Sequence, residues 1–479
     1  MTGSFRRPIT AQNHPHRRKY SSMVKRLCGT SVGLRAGLLL AVAGLAFAAQ
    51  PIARAQEASP FVPAPSHPKK QRPLPDRLPG KSSQPPAFTI PVGPLGFSAP
   101  GPNYLGLRNS LVSLDFLDED HLLFTFRVPG LMRRDAVAST GGDERQIRAV
   151  TLALPAGRVV SEALWTVHDR VRYLWMLKDG HFLLRDRDGL AQGDATLELK
   201  PLFEFPGPLL WLELDPTGQY LVTNSREPAA AAPAKAGIVP SPESASATLV
   251  MDGQQPLNDA DPPQTDLVVR ILRRATGQVM LVSRTRSTVH LPINAEGYLE
   301  SLRGNGQQWL LNLSYFTGGS KILGRLDSAC SPAFDFVSER EALVTACAAG
   351  GGRKLVAMDT AGHRLWEDQT SAMEAWPLIV RSQDGLRLAR ETLAVTREVN
   401  ASSPLDSEDV KGQLVRVFDA ATGKVALEVL ASPAFDAGGN VAISPSGRRA
   451  AVLSAGTIQV FDLPAPPPLA DAPDNQTRR

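Results

Sequence analysis

The sequence predicts an all-β fold, a seven-bladed β-propeller of four-stranded antiparallel sheets. Three observations carry that reading. Short runs of Val, Ile, Leu and Phe come in pairs joined by tight polar turns. Second hairpins follow several of these pairs. The units recur at close to the ~40–50 residues of a propeller blade. The clearest unit is Asn440 to Pro464, in which Val441 to Ser444, Ala450 to Ser454 and Thr457 to Asp462 read as three strands. The turn Ser444-Pro445-Ser446-Gly447 suits type I geometry, because Pro presets φ at its second position and Gly avoids a side-chain clash at its fourth.

In chain order, the remaining strand pairs are Leu111–Phe116 with Leu122–Phe126, Val171–Leu177 with Phe182–Arg185, and Leu209–Leu214 with Tyr220–Thr223. They continue with Tyr298–Leu302 and Trp309–Leu313, Phe334–Val337 and Leu343–Cys347, and Leu378–Val380 and Arg387–Arg390. Their near-continuous apolar character suits inner strands buried on both faces. Outer hairpins are expected at Leu267–Leu272 with Val279–Val282, Leu355–Asp359 with Leu365–Trp366, and Leu414–Asp419 with Val425–Leu430. Gly218 to Gly306 is too long for one blade. It contains residues 227–264, rich in Ala, Pro and Ser, which read as a disordered insertion. A hidden blade there is the rival, so eight blades stand as the alternative count. The last unit stops after its third strand. Phe88 to Phe97 is expected to supply the fourth, joining both ends of the propeller in one sheet and removing free edges.

The flanks read differently. Residues 1–55 hold nine Lys and Arg and no Asp or Glu, so the formal net charge of +5 becomes +5 − 9 = −4 without them. The basic character therefore lies outside the propeller, which argues against a nucleic-acid partner. Ala36 to Ala48 has the length of a signal-peptide core and is short for a membrane span. Residues 1–55 are read as a signal peptide cleaved after Ala55, with Met23 as an alternative start and an uncleaved anchor as the rival. Cys28 precedes the apolar run, so it is not a lipid-attachment cysteine. The expected location is periplasmic or secreted, with no stable membrane span after cleavage. Residues 56–87 are Pro-rich and read as a disordered linker, residues 88–464 as the propeller, and residues 465–479 as a disordered tail.

Ser444-Pro445-Ser446-Gly447, Asp215-Pro216-Thr217-Gly218 and Ser382-Gln383-Asp384-Gly385 resemble the turns of WD-repeat-like propellers. Ala357 to Trp366 and Phe418 to Val429 resemble the outer hairpins of quinoprotein-like propellers. The resemblance spans about residues 100–464 and suggests an exported bacterial type. It implies the fold and no single activity, since propellers host many.

Cys330 and Cys347 flank one predicted hairpin whose turn lies midway between them. Antiparallel pairing sets such residues ~4.5–5.5 Å apart at Cα, within disulfide reach. In an oxidising compartment a bond is expected, worth roughly 3 kcal/mol by chain entropy. Asp115, Asp118, Glu119, Asp120 and His121 form an acidic cluster read as a solvated blade turn. His168, His181, His290 and His363 are scattered without metal-ligand spacing. No nucleophile elbow, dinucleotide fingerprint or P-loop is present, so no catalytic residue, metal or cofactor is expected. The six tryptophans read as blade packing, except that Trp376 precedes an inner strand and is a candidate to line the channel. Arg133 and Arg134, in a long loop, are weaker candidates for an anionic partner. The expected function is a monomeric, exported, non-catalytic module presenting its loops to a protein, peptide or glycan. Its premise is the lack of any convergent set of reactive groups. The alternative is a propeller enzyme of quinoprotein or lyase type acting at the central channel.

Overall fold

An apolar hairpin has two faces to hide, and one small sheet covers neither; stacking the sheets around an axis covers both. The computed structural model shows this arrangement. It describes residues 82–98, 111–128, 133–134, 143–168, 172–228, 265–285, 289–348, 352–398, 405–435 and 439–466. The described residues form a seven-bladed β-propeller of small antiparallel sheets with two single-turn 3-10 helices, Gly93–Leu95 and Ser407–Asp409.

The first strand, β1 (Phe88–Pro91), belongs to the last blade. Blade 1 comprises β2 (Ser113–Phe116), β3 (His121–Arg127), β4 (Arg133–Arg134), β5 (Asp143–Ala153) and β6 (Arg158–Val167). Blade 2 is β7 (Leu174–Met176), β8 (Phe182–Asp186), β9 (Gly189–Gly193) and β10 (Lys200–Glu204). Blade 3 is β11 (Leu209–Leu214), β12 (Tyr220–Pro228), β13 (Thr265–Arg273) and β14 (Gln278–Thr285). Blade 4 has three strands, β15 (Gly297–Arg303), β16 (Gln308–Tyr315) and β17 (Ser320–Asp327). Blade 5 is β18 (Ala333–Phe336), β19 (Glu341–Cys347), β20 (Arg353–Asp359) and β21 (Arg364–Gln369). Blade 6 is β22 (Glu374–Arg381), β23 (Arg387–Val395), β24 (Val410–Asp419) and β25 (Val425–Ala431). Blade 7 is β26 (Val441–Ile443), β27 (Arg449–Ser454) and β28 (Thr457–Asp462), completed by β1. Blade 4 departs from the four-stranded expectation for a plain reason: residues 328–332 between β17 and β18 are too few to cross back with a fourth strand.

Closure follows the expected route. Phe88 pairs with Val460 and Ile90 with Ile458. Ile90 and Val92 then enter a core shared with Phe124, Val150 and Leu453, which joins blades 7 and 1. The other adjacent pairs share apolar cores of the same kind, from Ile147 with Phe182 between blades 1 and 2 to Val415 with Val452 between blades 6 and 7. Gly385 and Gly447 close the turns of blades 6 and 7 at φ of 74° and 65°, a left-handed conformation that glycine adopts without a Cβ penalty. The proposed insertion, residues 227–264, begins inside β12, since Glu227 and Pro228 pair with Asp266 and Thr265. Its remainder lies outside the described residues, as do residues 1–55 and most of 56–87 and 465–479.

Cys330 and Cys347 are bonded, with Cα atoms 5.5 Å apart. The bond indicates an oxidising compartment. No helix among the described residues is long and apolar enough to cross a membrane.

Candidate active site at the propeller axis

The first strand of each blade lines the axis, and its residues can be aligned by their partners on the second strand. Asp115 pairs with Leu123, Glu213 with Val222 and Asp335 with Leu343, each the third residue of its second strand. Three blades thus place a carboxylate at one structural step, next to last in the inner strand. Val380 and Ala442 hold the same step in blades 6 and 7, paired with Ala389 and Ala451.

Basic side chains come toward the same region from the intervening blades. His290, on the approach to β15, lies with its Nε2 2.9 Å from the Glu213 carboxylate and its ring edge-on to Trp211 at 5.7 Å. Arg381 ends β22 and reaches across the ring. It donates to the Phe336 carbonyl of blade 5, and to the Leu214 and Asp215 carbonyls of blade 3 at 3.3 and 3.2 Å. Its guanidinium therefore bars the axis where the inner strands finish. Arg172, just before β7, is exposed. Its Nε donates to the Leu174 carbonyl at 3.0 Å and its guanidinium sits 5.4 Å from the Trp175 ring centre. No carboxylate among the described residues contacts it. Blades 1 to 6 in turn contribute Asp115, Arg172, Glu213, His290, Asp335 and Arg381, an alternating set of acids and bases.

The electrostatics show that these groups act on one another. Burial raises the Asp335 carboxyl to about 6; His290 opposes the rise, Glu213 adds to it, and Arg381 and Arg172 oppose it. Asp335 still keeps some contact with solvent. Burial also raises Asp115, against a hydrogen bond from Ser113 Oγ at 2.5 Å and the field of Arg172. Burial lowers Arg381, while Asp215, Glu213 and Asp335 raise it. Glu391 on β23 is 1% exposed and pushed up to about 8 by burial, with Arg172 as the opposing charge. One of its oxygens accepts from Gln413 Nε2 at 2.7 Å, and the other has no partner. Among the described residues Arg172 is the one cation whose field opposes the rise at Asp115, Asp335 and Glu391 alike.

The residues singled out from sequence fall elsewhere. Trp376 lies in β22, but its side chain is outside the described residues. Arg133 and Arg134 form β4, opposite Glu144 and Asp143, with side chains likewise outside them. The acidic cluster divides. Asp118 caps its own turn, accepting from Asp120 N at 2.7 Å and touching His121 Nδ1 at 2.9 Å, whereas Asp115 belongs to the axis. Among the described residues no group of His, Cys, Asp and Glu could hold a metal ion. Sequence reading missed the axial set. Its one visible signal was a carboxylate inside an apolar run at the same turn-relative position, as in Leu114-Asp115-Phe116, Leu212-Glu213-Leu214 and Phe334-Asp335-Phe336.

No protein-family model matches this chain, and no curated protein matches it. Solved structures share the fold in kind. The acylaminoacyl peptidase of Pyrococcus horikoshii is 8% identical, with a TM-score of 0.41 over 72% of this chain and 49% of its own. The β-propeller domain of the Trilobed protease from Pyrococcus furiosus is 9% identical, with a TM-score of 0.39 over 74% of this chain and 93% of its own. A chain of the mitotic checkpoint complex is 8% identical, with a TM-score of 0.40 over 81% of this chain and 94% of its own. This chain spans about half the length of the acylaminoacyl peptidase it matches. The expectation of a non-catalytic binding or scaffold module is corrected here. Its premise fails, because six blades do bring acid and base groups together at the axis.

Proposed function

We propose that this propeller is an enzyme acting at its axial channel by general acid–base chemistry, of lyase type, on a substrate carrying a carboxylate. The observation that supports it is the exposed Arg172 guanidinium, which no carboxylate contacts among the described residues, acting on an Asp335 carboxyl that burial raises to about 6. Removing a proton from carbon beside a carboxylate builds negative charge on that carboxylate. A cation there stabilises the charge where it develops. A carboxylate base works best when its proton affinity approaches the operating pH, and burial moves Asp335 that way. The His290–Glu213 pair supplies a second titratable group for the leaving oxygen. Arg381 closes the far end of the axis, so substrate enters from the end where Arg172 is exposed. The disulfide and the signal-peptide reading of residues 1–55 support a periplasmic or secreted location.

The test is a panel of uronate oligosaccharides, with appearance of the conjugated double bond followed by ultraviolet absorbance. N-acylated peptides form a second arm. Turnover of a uronate is expected, and Asp335→Asn should lower kcat by about 10²–10⁴-fold, the usual worth of a general base. Amide cleavage without elimination, no turnover on either arm, or an unaffected Asp335→Asn overturns the reading.

A further inference from the structure

The disulfide at the start of blade 5 has an unusual neighbour. Arg353 opens β20 directly opposite Cys347. Its Nη1 lies 2.7 Å from Cys347 Sγ and 3.1 Å from Cys330 Sγ. Among the described residues no carboxylate pairs with it, and burial lowers its hold on its proton. A half-buried guanidinium without a counter-ion carries a desolvation cost that a neutral disulfide offsets weakly. A thiolate in the same place would offset it fully. Both cysteines are only partly buried, so the bond is not sealed in a core. Ser328 ties the surrounding loop together through backbone groups. Its Oγ accepts from Cys347 N at 3.0 Å and Cys330 N at 3.3 Å, and donates to the Cys330 carbonyl at 2.6 Å.

We propose that Cys330–Cys347 is an exchangeable redox disulfide, opened by thiol reductants, with Arg353 as counter-cation of the thiolate released. The incoming thiolate attacks Cys330 Sγ, the S–S bond breaks, and its electron pair leaves on Cys347 Sγ, the sulfur nearer Arg353. A second external thiol, as thiolate, attacks its partner sulfur in the mixed disulfide and releases Cys330. Two external thiols become one external disulfide; two electrons pass to the protein pair, one proton goes to Cys330, and the other goes to solvent while Cys347 stays a thiolate. Stabilising the thiolate favours the reduced form and makes the bond the stronger oxidant.

The native protein is equilibrated in buffers of reduced and oxidised glutathione, trapped by alkylation, and the reduced form titrated by thiolate absorbance. The bond is expected to open without unfolding. Cys347 should titrate within the ~3.5–7.5 range seen beside cations, below the ~8.5 of a free thiol. Arg353→Met should raise that value by at least about one unit and disfavour reduction by at least ~10-fold, or ~30 mV. Arg353→Lys, which keeps the charge, should stay near the parent. A parent thiol titrating at ~8.5 or above, a bond that opens only on global unfolding, or an Arg353→Met protein indistinguishable from the parent each overturns the proposal. If Arg353→Met does not fold, the parent titration and Arg353→Lys decide.

Discussion

Blade 7 and the blades that precede it build the same inner hairpin and fill it differently. In blade 5 the axial step is Asp335, paired with Leu343; in blade 7 it is Ala442, paired with Ala451 and 2% exposed. The fifth residue of the second strand is Glu391 in blade 6 and Leu453 in blade 7, each 1% exposed. The propeller therefore does not need charge at either step. Ala and Leu satisfy the same register at no desolvation cost, so Asp335 and Glu391 are carried against stability. Groups that the architecture could omit, set where they perturb one another, mark a working site more often than a structural one. Blade 7 spends its equivalent positions on closing the ring.

The largest effect should come from undoing that closure. Removing residues 82–97 takes away β1, and with it Ile90 and Val92 from the core between blades 7 and 1. It also removes Phe97, which packs edge-on to Phe124 and Phe126 at 5.5 and 5.6 Å. At ~1.5–3 kcal/mol for each large apolar side chain buried, the loss is about 6 kcal/mol, before the exposed β28 edge is considered. Urea unfolding measures it. A midpoint unchanged from the parent would show that blade 7 closes through its three remaining strands alone.

This contrast also shows what could be read from the chain. Turn chemistry and strand pairs were legible because Pro, Gly and Asp punctuate each hairpin, and β11 runs from Leu209 to Leu214 as those signals predict. The closure by Phe88–Pro91 was legible because the last blade lacks a strand. The long outer hairpin of β5 and β6 was not, since Val159, Val160 and Leu164 are exposed and the apolar residues of Arg158–Val167 do not mark its buried face. The axial site was hidden for another reason. Each blade supplies only one of its charges, so no local motif exists, and Glu213 meets His290 and Asp335 only because the ring brings blades 3, 4 and 5 side by side. Asp115 was visible but was absorbed into the acidic turn beside it.

The next largest effect concerns Glu391. Its carboxyl is raised to about 8 from an ordinary 4.5, so the folded state binds a proton that the unfolded state has released between those values. That stability is complete below pH ~4.5, declines by ~1.4 kcal/mol per unit, and is lost once pH passes about 8, a swing of roughly 4–5 kcal/mol. Glu391→Gln keeps the shape and the Gln413 contact and removes the titration. Its unfolding free energy should be flatter than the parent's from pH 5 to 8, and the two should converge in acid. Parallel curves would show that Glu391 ionises freely in the folded protein.

The smallest effect tests the comparison most directly, because Asp335→Ala gives blade 5 the residue that blade 7 already carries. The carboxyl moves from 3.8 to about 6 on folding, again upward, so its contribution is present below pH ~3.8 and disappears as pH rises through 6. The swing is about 3 kcal/mol, and some of it is softened because solvent reaches the channel. His290, Glu213, Arg381 and Arg172 all face this carboxyl, and their fields are already contained in that shift. Above pH 6 Asp335→Ala should therefore be the more stable protein by up to ~3 kcal/mol, with the advantage fading toward pH 4. It should also lose whatever turnover the axis supports. A variant less stable than its parent at pH 8 would mean that Asp335 holds blades 4, 5 and 6 together, and the charged arc would then be an architectural ion network.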